Sequence, residues 1–298
     1  MRIAVTGGLG FIGSFLVDRL LKEGHEVVAI DIRPGRITGS SELYVADVTN
    51  LNQMLHALSE VDVVYHLAGT VLDVARKNPY LAANLDIQGT LNVLEACVRN
   101  GVQKIMYASS FYVYDGLPNN ITVDEQYRST IFNAEMFGVV KLMGERLVKE
   151  YNQNFALDYV ILRYGPVYGP HERCSCVVYE FIKEGLKGNP IVIWGRGERK
   201  NQYTYVEDIV DGSVKALRTS NETFNLISPE RLRIREIAEL LQRKYGFDVS
   251  FDLKKLEGPS MPYISSKKAM EKLDWKPVSL EKGIELTIEV LRQRQITS

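Results

Sequence analysis

The 298-residue chain carries 36 basic and 37 acidic residues, a formal net charge of −1, and is 45% hydrophobic. That balance argues against a nucleic-acid or anionic-membrane surface, and no run of about 18 apolar residues is present to span a bilayer. The length exceeds what one hydrophobic core usually serves, so one large or two fused domains are expected.

Arg2-Ile3-Ala4-Val5 is a short apolar run with β-branched members, the pattern of a buried strand. It runs straight into Thr6-Gly7-Gly8-Leu9-Gly10-Phe11-Ile12-Gly13, after which apolar residues recur at helical spacing up to Gly24. Strand, glycine turn and helix form the setting for a bound pyrophosphate: Gly7 permits the turn, Gly10 a close backbone approach and Gly13 tight helix packing. His25–Ile30 reads as a second strand with Asp31 at its end, 18 residues beyond Gly13. A carboxylate about 20 residues past the glycines suits an adenosine ribose, so a dinucleotide site is expected.

A loop with Pro34-Gly35 and Gly39-Ser40-Ser41 leads to a third strand at Leu43–Ala46. There Asp47 and Val48 are placed to meet an adenine edge, while Asp47 or Thr49 would also cap a 51–59 helix. Val61–Gly69 is a strand ending in small residues, Leu67-Ala68-Gly69, which let a ligand approach the backbone. His66 within it reads as a packed core histidine. Residues 80–99 form an amphipathic helix carrying Asn84, Lys104–Ala108 a strand ending in Ser109-Ser110, 132–151 a helix carrying Lys141, and Tyr159–Tyr164 a further strand. This alternation predicts an α/β fold with a doubly wound parallel sheet. Ligands then belong at the C-terminal strand ends.

Beyond Gly165 the alternation loosens. A helix over 205–217 and a strand at Phe224–Leu226 return to the first unit; 234–245 and 280–294 are amphipathic helices. The expected organisation is a dinucleotide-binding domain over 1–164 with 205–228 returning to it, and a smaller substrate lobe from 165–204 and 229–298. The short apolar run at Ile3–Val5 is no signal peptide, and Cys97, Cys174 and Cys176 suit a reduced compartment, so a cytoplasmic location is expected. Cys174-Ser-Cys176 has metal-like spacing but only His171 nearby, and no metal is expected.

These pieces together resemble the extended short-chain dehydrogenase/reductase family, in its NAD-dependent sugar epimerase/dehydratase group. The matching segments span essentially the full chain: Thr6-Gly7-xx-Gly10-xx-Gly13, Asp31, Asp47-Val48, His66-Leu67-Ala68-Gly69, Asn84-xxxx-Gly89-Thr90, Ser109-Ser110-xx-Val113-Tyr114, Val167-Tyr168-Gly169-Pro170, and Tyr205-Val206 with Asp208. The resemblance implies NAD held by Gly7, Gly10, Phe11, Ile12, Gly13, Asp31, Asp47, Val48, Leu67, Ala68, Gly69, Asn84, Ser109, Lys141, Tyr164 and Val167. It places the nicotinamide near Ser110 and Lys141, and implies homodimers paired through the 80–99 and 132–151 helices.

The family's reaction uses a tyrosine four residues before the lysine on one helix, a spacing that puts both on one face. That position here is Phe137, which has no proton to move. Tyr179 with Lys183 repeats the spacing outside the expected helix and reads as a decoy; Tyr112 is the stand-in closest to Ser110. Replacement of a tyrosine by design and natural divergence both fit Phe137. Two further departures touch the substrate: Pro166 and Asn201 stand where nucleotide-sugar enzymes of the family commonly carry asparagine and a diphosphate-binding arginine. Arg196, Arg199 and Lys200 are substitute cations or a solvated basic loop. Phe111-Tyr112 replace the acid pair of dehydratases, which disfavours water elimination. The leading expectation is an NAD-dependent 4-epimerase of a nucleotide sugar, with catalytic positions Ser110, Phe137 and Lys141. The alternatives are an NAD-dependent dehydrogenase of a small polyol or hydroxy compound, and a non-catalytic NAD-binding protein.

Overall fold

The computed structural model describes residues 1–35, 42–127 and 134–297, with side chains to residue 294. The first half alternates strand and helix: β1 (Arg2–Thr6), α1 (Phe11–Lys22), β2 (Glu26–Asp31), β3 (Glu42–Val45), α2 (Leu51–Ala57) and β4 (Val63–His66). There follow α3 (Leu72–Lys77), α4 (Pro79–Ala82), a π-helical turn (Ala83–Gln88), α5 (Gly89–Asn100), β5 (Lys104–Ser110), a 3₁₀ turn (Phe111–Tyr114), β6 (Thr122–Val123), α6 (Met136–Phe155) and β7 (Asp158–Tyr164). The remainder holds α7 (Val177–Leu186), α8 (Val206–Ala216), α9 (Ile234–Tyr245), α10 (Lys267–Leu273) and α11 (Leu280–Thr297). Among these run short strands β8 (Val167–Tyr168), β9 (Ile191–Trp194), β10 (Lys200–Asn201), β11 (Thr204–Tyr205), β12 (Glu222–Leu226), β13 (Leu232–Arg233), β14 (Val249–Asp252) and β15 (Tyr263–Ile264).

Seven strands pair in the order β12-β7-β5-β4-β1-β2-β3, every pair parallel. Both faces are covered, as such a sheet requires. Strand alternation assigns the faces: Ile3 and Val5 of β1 join Leu16 and Leu20 of α1, while Ala4 faces Val93, Leu94 and Cys97 of α5. The strand order reverses at β1, between β2 and β4, which opens a crevice at their C-terminal ends. A second core gathers Val178 and Ile182 of α7, Ile237 and Leu241 of α9, and Ile284 and Ile288 of α11. β12 lies at the edge of the main sheet, beside β7.

Three expectations need correction. The 80–99 helix is interrupted: Asn78 accepts the Leu81 N–H (3.0 Å), Pro79 takes the first turn, and the π turn follows before α5. One extra residue in that turn rotates everything before it relative to an unbroken helix. The 132–151 helix begins at Met136 among the described residues and runs to Phe155. Glu135 stays extended because its N–H donates to Asp115 (3.0 Å) and its carboxylate pairs with Arg76. α2 is capped by Asn50, whose side chain accepts from Gln53 N–H (3.2 Å), rather than by Asp47 or Thr49. Helices α3, α7 and α10 were not expected from the sequence. Arg36, Gly39, Ser40, Ser41 and residues 132–133 lie outside the described residues.

One carboxylate in this frame makes stability pH-dependent. Burial raises the Asp208 pKa to about 7, although its carboxylate accepts the Val278 N–H (3.1 Å). An acid whose folded pKa exceeds its unfolded value of about 3.9 holds its proton better in the native state, so stability falls as pH rises between the two. Asp208→Asn keeps an acceptor for Val278 and cannot ionise. The melting-temperature advantage of the variant should widen from pH 4 to pH 7 and level off above it. A constant difference across that window would show that Asp208 does not titrate in this way.

Candidate active site

The first site element follows from β1 meeting α1. Gly7 has φ +71°, the left-handed region, and a Cβ there would press on the Ala68 N–H at the end of β4. Gly10 caps α1 with its backbone alone, the Gly10 N–H returning to the Gly7 carbonyl (2.9 Å). A Cβ on Gly13 would run into that same carbonyl. The helix N-terminus, bare of side-chain caps, is a cradle of N–H donors and positive dipole suited to a pyrophosphate. Phe11 turns its ring outward to stack on His171 (5.5 Å between centroids) and Ile12 packs on the α1 core, so both would face a cofactor through backbone only. Arg173 bonds the Leu9 carbonyl, tying the 169–173 segment over the loop.

Asp31, at the end of β2, accepts from Leu9 N–H (3.1 Å) and from the Arg33 N–H and Nε (3.2 and 3.3 Å). It is buried beside the glycine loop. Asp47 accepts the Thr49 N–H (2.8 Å), and the Val48 carbonyl accepts Asn92 Nδ2 (2.9 Å). β4 then delivers Leu67-Ala68-Gly69 against the loop: Leu67 N–H donates to the Thr6 carbonyl and Ala68 N–H to Thr6 Oγ1, both at 3.2 Å. His66 lies between Thr6 Oγ1 (2.7 Å) and Thr90 Oγ1 (3.1 Å). Burial first, and Lys141 second, lower its pKa to about 3, so it is neutral and structural.

Strand alternation separates the two serines at the end of β5. Ser109 Oγ donates to Glu145 (2.6 Å), which also receives Arg163 through Nε (2.8 Å) and Nη2 (2.7 Å). Its hydroxyl is therefore committed to this network. Ser110 instead caps the 3₁₀ turn, accepting the Tyr112 N–H (3.2 Å). The Tyr164 side chain lies in the core with its hydroxyl on Ser213 (2.9 Å), which leaves its backbone and half-buried Val167 at the site's edge.

Packed against the 3₁₀ turn that follows Ser110, α6 presents half-buried Phe137 and buried Lys141 on one face, the ammonium 5.8 Å from the Phe137 ring centre. Phe137 packs against the cluster of Ala75, Ala82 and Val140 and meets Tyr112 edge-on at 5.5 Å. Burial raises the Tyr112 pKa, with Arg199 and Arg76 pulling the other way. The residue of the π turn that reaches Lys141 is Asp86, 2.9 Å from Nζ, a residue that sequence reasoning did not single out; Asn84, the expected cofactor contact, is exposed on the same turn. The signal for Asp86 was a carboxylate between Leu85 and Ile87. Tyr179 is buried in the second core, away from α6. Asn201 is buried and accepts the Gln202 N–H (3.0 Å), whereas Arg199 has its guanidinium beside Gly258 and its Nε buried without a hydrogen-bond partner among the described residues.

A family model, "NAD dependent epimerase/dehydratase family", matches residues 3–226. UDP-glucuronic acid decarboxylase 2 of Arabidopsis thaliana is 30% identical over 315 residues, covering 99% of this chain and 69% of that protein. The Thermotoga maritima UDP-glucose 4-epimerase, solved with UDP-glucose, superposes with a TM-score of 0.91 at 29% identity, covering 99% of this chain and 100% of the other. A Bacillus cereus UDP-glucuronic acid 4-epimerase, solved with UDP-glucuronic acid and NAD, gives 0.87 at 31% identity, again 99% and 100%.

Proposed function

The chain belongs to the NAD dependent epimerase/dehydratase family, and from that premise we propose that it is an NAD-dependent isomerase that inverts C4 of a nucleotide sugar. The observation that carries this reading is the convergence at the C-terminal strand ends of the α1 cradle, Asp31, Ser110 and Lys141. Relatives solved with UDP-sugars and NAD support it. The residues present fit NAD: Gly7, Gly10 and Gly13 leave room for the pyrophosphate and Asp31 offers a carboxylate to the adenosine ribose. When bound, NAD supplies reversible oxidation of the sugar carbon. The chain's own part is to orient the sugar hydroxyl through Ser110, to fix the ribose through Lys141 and to exclude water through Phe137 and Tyr112. The lobe from 165–204 and 229–298 would cover the sugar nucleotide, with Arg199 the cation aimed inward. A homodimer through α5 and α6 accords with the exposure of Met143 (43%) on α6, and a cytoplasmic location with the absence of a membrane-length apolar helix among the described residues.

Incubation with a panel of UDP-sugars, read by NMR of the anomeric and C4 protons, tests the reaction. Conversion of one 4-epimer to the other is expected; inertness toward every sugar by the parent, by Phe137→Tyr and by Phe137→Tyr/Asp86→Asn would overturn it. Phe137 itself favours a second reading, an NAD-binding protein without turnover, which predicts that inertness with NAD still bound. Cofactor choice is a separate expectation. Asp31 should repel a 2′-phosphate, and Arg33 is already engaged by it (3.3 Å), so NAD should bind at least tenfold more tightly than NADP. Fluorescence titration of the two reduced cofactors measures the ratio, and parity would sink the assignment of Asp31.

A further inference from the structure

The floor of the cleft holds an ion pair that the reaction does not require. Asp86 is fully buried, and its Oδ2 accepts both the Thr70 N–H (3.0 Å) and the Thr70 hydroxyl (2.5 Å). Its Oδ1 forms an ion pair with Lys141 Nζ at 2.9 Å and accepts no hydrogen bond among the described residues. Gly69 lies directly on the pair, since a Cβ there would touch both Asp86 and Lys141. The carboxylate is thus fixed by two hydrogen bonds from Thr70, and the ammonium by the carboxylate. We propose that Asp86 is a positioning residue that holds Lys141 beneath Gly69 and cancels its charge, so that this site lacks both halves of a tyrosine–lysine base: the phenol at position 137 and the unpaired cation that would ionise it.

The argument is one of charge at short range. A free ammonium one helical turn from a phenol favours phenolate; an ammonium in contact with a carboxylate is a dipole whose field falls off faster. The other groups around Lys141 do not restore a net positive charge. His66 on β4 is neutral, Tyr107 on β5 presents its ring at 5.7 Å with a hydroxyl whose pKa burial pushes up to about 12, and Glu145 on α6 is held by Arg163. Around position 137 stand Tyr112, the mutually paired Arg76 and Glu135, and Asp115, while Arg199 acts on Tyr112 from the second lobe and is common to every variant compared. Burial alone would lower the Lys141 pKa; Asp86 turns the net direction upward.

This inference rests on reading the cleft as the sugar-oxidising site, yet its test does not need turnover. Tyrosinate absorbance is titrated in Phe137→Tyr and in Phe137→Tyr/Asp86→Asn, each as a difference from its counterpart retaining Phe137. With Asp86 present the new phenol should ionise at or above about 10, the reference value; with Asp86→Asn its pKa should fall by at least about one unit. In the Phe137 background, Asp86→Asn should lower the Lys141 pKa by at least about one unit, read from its Cε chemical shift. Turnover should follow: less than about tenfold gained by Phe137→Tyr alone, and at least about a hundredfold by the double variant. Equal phenol pKa values in the two variants, ionisation of Phe137→Tyr below about 9 with Asp86 intact, or an unmoved Lys141 would each overturn the proposal. If the phenol shifts as expected while no UDP-sugar is converted, the charge pairing stands and the epimerase reading falls.

Discussion

Gly10→Val is expected to raise the NAD dissociation constant at least about a hundredfold, or about 2.8 kcal/mol at 1.4 per decade, while leaving a folded protein. Gly10 caps α1 with φ −73° and ψ 177°, an extended backbone that any residue adopts, so valine meets no conformational bar. Its Cβ would lie 2.9 Å from the Gly7 carbonyl oxygen, which asks for a small shift of the loop, and losing a glycine cap for a β-branched residue costs about 1 kcal/mol. The two γ-methyls then fill the space in front of the Phe11, Ile12 and Gly13 N–H groups, where a pyrophosphate would be received. Gly13→Ala makes the contrast: its methyl strikes the Gly7 carbonyl, a backbone atom with nowhere to go, so that variant should lose stability as well as binding. Calorimetric titration with NAD and a thermal melt separate the two. Normal NAD affinity in Gly10→Val would mean that the dinucleotide does not enter over α1.

The inner strands of the main sheet were legible because each is a short, largely apolar run, whereas the two-residue strands of the second half are too short to carry one. Ile3, Ala4 and Val5 are all buried since helices cover both sides of the sheet, and that pattern needs no tertiary information to read. Glycine and carboxylate spacing likewise placed the α1 cradle and Asp31 side by side, because the β1–α1–β2 unit has only one right-handed way to close.

What sequence could not show is where a helix changes pitch. The π turn at Ala83–Gln88 has no compositional signature, yet it decides which side chain reaches Lys141, and that side chain is Asp86. Side-chain competition was equally hidden. Asp47 and Asn50 are both good caps, and the structure employs Asn50 because Asp47 has turned back onto the Thr49 N–H. Ser109 and Ser110 are chemically alike; only strand alternation, with Glu145 waiting on one side, distinguishes the buried link from the residue facing Tyr112.

That buried link carries the other large expectation. Arg163→Met should cost about 3–5 kcal/mol of stability, because it strands a carboxylate in the interior. Glu145 is 5% exposed and has three side-chain donors among the described residues, the Arg163 Nε and Nη2 and the Ser109 hydroxyl, so removal of the guanidinium leaves one of these. Arg163 Nη1 also donates to the Tyr114 hydroxyl (2.6 Å), which reaches on to Asn225 Oδ1 (3.0 Å) of β12. The network therefore pins β5, the 3₁₀ turn after Ser110, α6, β7 and β12 together one turn of α6 beyond Lys141. Loosening it should also blur the separation of Ser110 from Phe137 and weaken any ligand held between them. The cause is testable apart from the size. If the loss is chiefly the stranded charge, Glu145→Leu/Arg163→Met should be more stable than Arg163→Met alone, since two apolar side chains of similar volume bury no charge. Denaturant melts of the parent, both single variants and the double variant give that cycle. A double variant less stable than either single one would show that the pair acts through packing and hydrogen-bond geometry rather than through mutual neutralisation.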